Sequence, residues 1–112
     1  MISSINQDNN SMIDLWEAWV DVQEHSLKPY TLYVVGEIYW DNRYSKPVLE
    51  KIGSTRDGIL HLDLQPGIIC QQGIIREIRF SEPLVIFNQY TEVIIHAGKE
   101  ILCTMDVREQ VM

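Results

Sequence analysis

The chain has 112 residues, 46% of them hydrophobic and 22% charged, which suits one globular domain with a single core. Sixteen acidic residues against nine basic ones give a net charge of −7. This excess argues against nucleic acid and against an anionic membrane surface as partners, because both are bound through clustered lysine and arginine. The charge is compatible with another protein that has a basic surface as the partner, because opposite charge speeds association; the alternative is that the excess charge only keeps the protein soluble.

The N-terminal residues 1–10 are polar and lack periodic apolar positions, which predicts a loose tail before a single domain over residues 11–112. No basic segment followed by an apolar one indicates a secretory signal, and no apolar run reaches the ~20 residues of a membrane span. Cys70 and Cys103 lie far apart in apolar surroundings, so we expect buried, reduced thiols in a cytoplasmic protein. A disulfide is the alternative if their strands are neighbours.

The segment SMIDLWEAWVDVQEHS places apolar residues at helical spacing, which predicts an amphipathic helix over residues 12–24. Ser11 followed by Asp14 resembles a capping box at its start. A strand over residues 16–22 is the competing interpretation, because EAWVDV also alternates in part. Pro29 ends either element.

After Pro29 the sequence consists of short β-branched and aromatic segments separated by turns. Counting them gives seven or eight strands, with Gly73 dividing the long run IICQQGIIREIRF and a separate strand at PLVIF. This spacing predicts a mainly β fold, an antiparallel sandwich or a small barrel with one N-terminal helix. Pro47 predicts a strand that begins at a sheet edge, and Gly36 predicts a bulge or the close approach of another element.

Strict alternation in ILHLDL and EILCTMDV identifies the predicted core. On the first of these strands, His61 and Asp63 face outward. The two patterns together predict burial of five residues: Leu60, Leu62, Ile101, Cys103 and Met105.

Four of the five tyrosines and one of the three tryptophans fall within residues 30–46. Alternation places Trp40 in the core and leaves Tyr33 and Tyr39 partly accessible on the opposite face. Together with Arg43 and Tyr44 they predict a protein-binding surface, because tyrosine and arginine are enriched at interfaces. Cross-strand packing is one alternative role for the two strand tyrosines, and a carbohydrate- or small-ligand-binding module using Tyr33, Tyr39 and Tyr44 is another.

Nucleophile, phosphate-loop and metal-binding motifs are absent from the sequence, which therefore predicts a non-enzymatic protein that uses no metal and no cofactor. One chemical alternative stays open. His61 and Asp63 lie two residues apart on one strand, and Glu37 or His96 could complete a metal site with them. A small hydrolase centred on His61, Asp63 and His96 is the corresponding enzymatic hypothesis.

The segment from Tyr90 to His96 contains one charged residue, Glu92, and resembles an edge strand able to pair with a second copy of the chain. A homodimer formed through this edge, or by exchange of the element carrying Trp16 and Trp19, is one hypothesis. A monomer whose N-terminal element covers its own sheet is the other.

Overall fold

In a computed structural model of the chain, residues 16–23, 27, 29–67, 70 and 72–110 are described. They form seven strands and no helix: β1 (Glu17–Val22), β2 (Tyr30–Trp40), β3 (Val48–Ser54), β4 (Ile59–Gln65), β5 (Ile74–Leu84), β6 (Glu92–Ala97) and β7 (Glu100–Gln110). The predicted tail over residues 1–10 lies outside these ranges. Within them, no helix has the length and apolarity that crossing a membrane requires.

The strands form one nearly closed, barrel-like sheet in the order β3-β4-β6-β7-β1-β2-β5. The expectation of a mainly β fold is confirmed, and of the two predicted architectures the barrel is the one observed. Neighbouring strands are antiparallel except for two parallel pairs, β1 with β7 and β4 with β6. The first and last strands of this order, β3 and β5, approach each other along a seam where the described residues form no backbone ladder. Pro47 directly precedes β3, so the predicted edge strand is confirmed.

The predicted helix over residues 12–24 is wrong for its described part, because residues 17–22 form β1. Burial there alternates with a period of two: Trp16, Ala18 and Val20 are buried, whereas Glu17 is exposed. β1 pairs with β2 on one side and with β7 on the other, and this two-sided ladder satisfies its backbone groups. Residues 12–15 and 24 of the predicted helix lie outside the described residues.

A continuous β5 replaces two predicted elements. It begins immediately after Gly73, which confirms that this glycine divides the long apolar run, and it continues through Ser81 and Glu82 to Leu84. The separate strand predicted at PLVIF is therefore wrong, and the described residues form seven strands, the lower of the two predicted numbers. Pro83 is tolerated inside β5 because β5 is an edge strand, so no neighbour requires the missing N–H group.

The core lies inside the barrel and is built from the inward positions of the alternating strands. Leu60, Leu62 and Cys103 are buried as predicted. Ile101 is not: 59% of its surface is exposed, and Met105 is only partly buried. Ile101 is exposed because β7 has a bulge, where Ile95 pairs with Cys103 but the next residue of β6 pairs with Ile101. Leu102 is the extra residue, so the alternation changes face at that point.

Both cysteines are free thiols, as predicted. Cys103 is buried, and the loss of solvation raises the pKa of its thiol to about 12. Cys70 is only partly buried, so its predicted burial is confirmed in part. Because the pKa of Cys103 is raised, its thiolate, which is the reactive form of a cysteine, is suppressed at neutral pH.

The proposed edge between Tyr90 and His96 does not exist in this fold. Residues 92–97 form β6, which lies between β4 and β7 and is hydrogen-bonded on both sides. The element that carries Trp19 is likewise an internal strand. A homodimer stays a prediction, but edge pairing through β6 is wrong, and among the described strands the two edges of the sheet are β3 and β5.

Candidate functional site

A run of large side chains lies on the outer surface of the barrel, across β1, β2 and β5. Trp19 pairs in register with Tyr33, and their rings stack with centroids 5.5 Å apart and planes inclined by 27°. Further along β2, Tyr39 pairs with Ile75, of which 54% is exposed. These four residues, with Val35 between the two pairs, are called the outer aromatic face below.

The predicted division of the β2 rings is confirmed, because Tyr33 and Tyr39 share this outer face and are both partly accessible. Trp40 is on the opposite face, but it is only partly buried, which corrects the predicted core position. It is the last residue of β2, at the end of the barrel. Its Nε1 donates a hydrogen bond to the Ser45 carbonyl at 3.1 Å, and the Arg76 guanidinium lies 5.2 Å from the ring centroid.

The other two predicted site residues, Arg43 and Tyr44, belong to the turn that follows β2. Asp41 holds this turn together: its carbonyl accepts from the Tyr44 amide at 3.0 Å, and its carboxylate accepts from Arg43 at 2.6 Å. The hydrogen bonds from Arg43 lower the pKa of the Asp41 carboxyl below its usual value. The Arg43 side chain is thus fixed while 77% of it stays exposed, and Tyr44 is 41% exposed. The four predicted residues lie along β2 and its turn rather than around one pocket.

Charged residues surround and divide the outer aromatic face. Glu37 and Glu77 pair directly across β2 and β5, between the two apolar pairs. Arg79 lies 2.9 Å from Glu77, and Arg108 lies 3.9 Å from Glu17 at the far end. Within the described ranges, Glu37 has no ion-pair partner. The face therefore presents an acidic centre between apolar ends.

A second group of polar side chains lies on the outer surface of β4 and β6, away from the outer aromatic face. His61 Nδ1 and His96 Nε2 are 2.9 Å apart, and Asp63 pairs in register with His96. The structure thus places the three residues of the enzymatic hypothesis on one face and brings the two histidines into contact, while the Asp63 carboxylate accepts a hydrogen bond from the Gln65 side chain. Glu37 does not join them, because three strands separate β4 from β2. In the described part of the chain, no group of three ligand side chains is arranged to hold a metal ion.

A third polar group, not predicted from the sequence, closes the seam of the barrel. Lys51 Nζ of β3 donates to Glu82 Oε1 of β5 at 3.0 Å and to the Tyr90 hydroxyl at 2.9 Å. The Tyr90 hydroxyl in turn donates to Glu82 at 2.8 Å, and the tyrosine is 3% exposed. Lys51 is 31 positions from Glu82 and 39 positions from Tyr90 in the sequence, so no local pattern could have indicated these contacts. Their mutual hydrogen bonding indicates a structural clamp.

Replacing Lys51 with methionine is expected to lower the free energy of unfolding by up to about 1 kcal/mol at neutral pH. Hydrogen bonds from Lys51 to Tyr90 and Glu82 raise the pKa of the lysine above its ordinary 10.5. Because the folded state holds this proton more tightly, the contribution is complete below pH 10.5 and is lost as the pH rises through the folded-state pKa. Urea unfolding at neutral pH and above pH 10.5 measures the difference between wild type and variant.

Lys46→Met is the matched control, since Lys46 is an exposed lysine just before β3. Its difference from wild type should be small at both pH values. A Lys51→Met difference that is constant with pH would mean that the ammonium charge of the lysine is not the source of the stabilisation.

Comparison with known proteins does not identify the chain: no protein family, curated protein or solved structure matches it. Function must therefore be inferred from the three surface groups themselves.

Proposed function

We propose that the chain is a non-enzymatic binding domain whose outer aromatic face docks a basic segment of another protein. The observation that carries this proposal is the pair of the partly accessible Tyr39 and the exposed Ile75, which continues along β2 to the stacked rings of Trp19 and Tyr33. Aromatic side chains are enriched in protein interfaces, where they supply large contact areas. The arrangement supports a docking surface that includes at least the four side chains of these two pairs.

Charge supports a basic partner. Glu37 and Glu77 face each other between the apolar ends, and like charges directly opposite each other destabilise a sheet. A lysine or arginine from a partner would relieve this repulsion and would pair with Glu37. The net charge of −7 would also steer a basic protein towards the domain.

Shape favours a protein over a sugar or another small ligand. The outer surface of a nearly closed barrel is convex, whereas small-molecule sites are concave and enclose most of the ligand. Tyr33 and Tyr39 are six residues apart on one strand, a distance of roughly 20 Å. The two free thiols are consistent with a reducing compartment such as the cytoplasm, where we expect the partner to be found.

The test compares three forms of the protein as bait in an extract of the source cells. The face variant carries Tyr39→Ala and Ile75→Ser, and the control carries Val85→Ser and Ile86→Ser, which removes two exposed apolar side chains that lie after β5 and outside this face. A genuine partner should be captured by wild type and by the control but lost with the face variant. The identified partner is then purified and titrated against each form.

In that titration, Tyr39→Ala alone should weaken binding about thirtyfold, since truncation of an interface anchor commonly costs more than ~2 kcal/mol. Glu37→Gln should slow association and reduce its dependence on salt. Equal capture by wild type and the face variant, together with a lower melting temperature of the variant, would show instead that Tyr39 and Ile75 are packing residues.

A further inference from the structure

The His61–His96 pair is held at a fixed separation by the most deeply buried part of the sheet. The neighbours of His61 on β4, Leu60 and Leu62, and those of His96 on β6, Ile95 and Ala97, all point into the core with 3% or less of their surface exposed. β4 and β6 are central strands in parallel register, each paired on both sides. The two imidazoles therefore project from a rigid base, which is the first requirement of a preorganised site.

The rings meet end to end. Their centroids are 5.1 Å apart while Nδ1 of His61 and Nε2 of His96 are 2.9 Å apart, so these nitrogens lie between the centroids, close to the line that joins them. In this state one nitrogen donates and the other accepts. If the donor ring is neutral, moving its proton to its other nitrogen leaves two lone pairs that point at each other along this line, without any loss of protons from the pair. Because χ2 of histidine is a broad torsion, turning both rings can aim the two lone pairs at one point beside this line.

The separation also indicates which kind of ion such a point would hold. An imidazole nitrogen lies about 2.0 Å from a bound metal ion, and two nitrogens 2.9 Å apart would then subtend roughly 90° at that ion. Neighbouring ligands make this angle in the square-planar and tetragonal sites of Cu²⁺ and Ni²⁺.

The surroundings suit a cation and leave it room for water ligands. Asp63 pairs in register with His96 and adds a negative charge on the same face. On the other side of β4, His61 pairs with Gly53, and a Cβ atom placed at Gly53 would meet nothing within 4 Å. The space beside His61 is therefore open, and solvent can occupy the remaining coordination positions.

We propose that His61 and His96 form a chelating site for a divalent first-row transition-metal ion of tetragonal preference, Cu²⁺ or Ni²⁺, with water completing the coordination. The site does not depend on the outer aromatic face, which lies on other strands. It differs from the site considered from the sequence, because two imidazoles and solvent replace a cluster of three protein ligands.

The test uses Ni²⁺, which does not oxidise the thiols, in calorimetric titrations of wild type, His61→Ala, His96→Ala and the control His25→Ala. We expect one ion per chain in wild type, binding about 10²-fold weaker in each of the first two variants because chelation is lost, and unchanged binding in the control. Melting curves without metal confirm that each variant is folded. Electron paramagnetic resonance of the Cu²⁺ complex should show coupling to two imidazole nitrogens.

Three results would overturn the proposal. One is wild-type affinity in His61→Ala or His96→Ala, which would place the ion on the thiols or elsewhere. Another is coupling to a single nitrogen. The third is no measurable binding of Ni²⁺ to wild type, which would mean that the pair shares a proton and nothing more.

Discussion

Replacing Gly36 with alanine is expected to destabilise the barrel by roughly 3–5 kcal/mol, close to the cost of removing a buried tryptophan. A Cβ atom at this position would lie 2.0 Å from Cδ2 of Trp16, well inside van der Waals contact. The indole is 5% exposed and packs directly against the Gly36 backbone. Because the new methyl group is attached to the backbone of a central strand, the indole must leave its place. Urea unfolding followed by circular dichroism measures the loss.

A double-mutant cycle separates this clash from a general weakness of glycine replacement. Trp16→Ala removes the indole and should itself cost about 3–5 kcal/mol. Adding Gly36→Ala to that variant should then cost little, because the methyl group has free space. The coupling between the two changes is expected to be about as large as either single effect. Additive losses would contradict the packing of Trp16 on Gly36.

Local patterns predicted the strands whose two faces meet different environments. β2 and β4 alternate in the sequence and in the structure, and Gly36 was expected to mark a close approach. The residue that approaches, Trp16, was misassigned because its spacing from Trp19 fits a helix as well as a strand. Whether this segment forms a helix or a strand depends on β7, which lies about ninety positions away in the sequence and pairs with β1 in parallel. No window of local sequence contains that interaction.

The candidate surfaces were likewise predictable where they depend on one strand, and not predictable where they depend on the pairing of distant strands. The partial exposure of Tyr33 and Tyr39 was predictable from alternation within one strand. Trp19 and Ile75 were missed as members of the outer aromatic face, because only the register of β2 with β1 and β5 places them there. The contact of His61 with His96 likewise depends on the parallel register of β4 and β6. Residue types and faces can be inferred from a sequence, whereas contacts between strands require the topology.

Leu62→Ala is expected to lower the free energy of unfolding by about 2–5 kcal/mol, the range for truncating a fully buried leucine. Leu62 has no exposed surface and lies on β4 between the inward side chains of two paired strands. The adjacent His61→Ala should cost about 1 kcal/mol or less, because it removes one partly exposed hydrogen bond to His96. Urea unfolding of both variants in the same buffer, without added metal, gives the comparison.

The contrast between these neighbours tests the register of β4 and the role of its outward face together. Leu62→Ala should reduce stability, and where it stays folded it should leave the affinity for Ni²⁺ close to that of wild type, since neither imidazole is removed. His61→Ala should have the reverse effects, with stability nearly kept and the affinity lost. A large loss of stability from His61→Ala and a small one from Leu62→Ala would mean that the two faces of β4 are exchanged. In that case, the inward alternation of Leu60, Leu62 and Leu64, on which the barrel core depends, would be wrong.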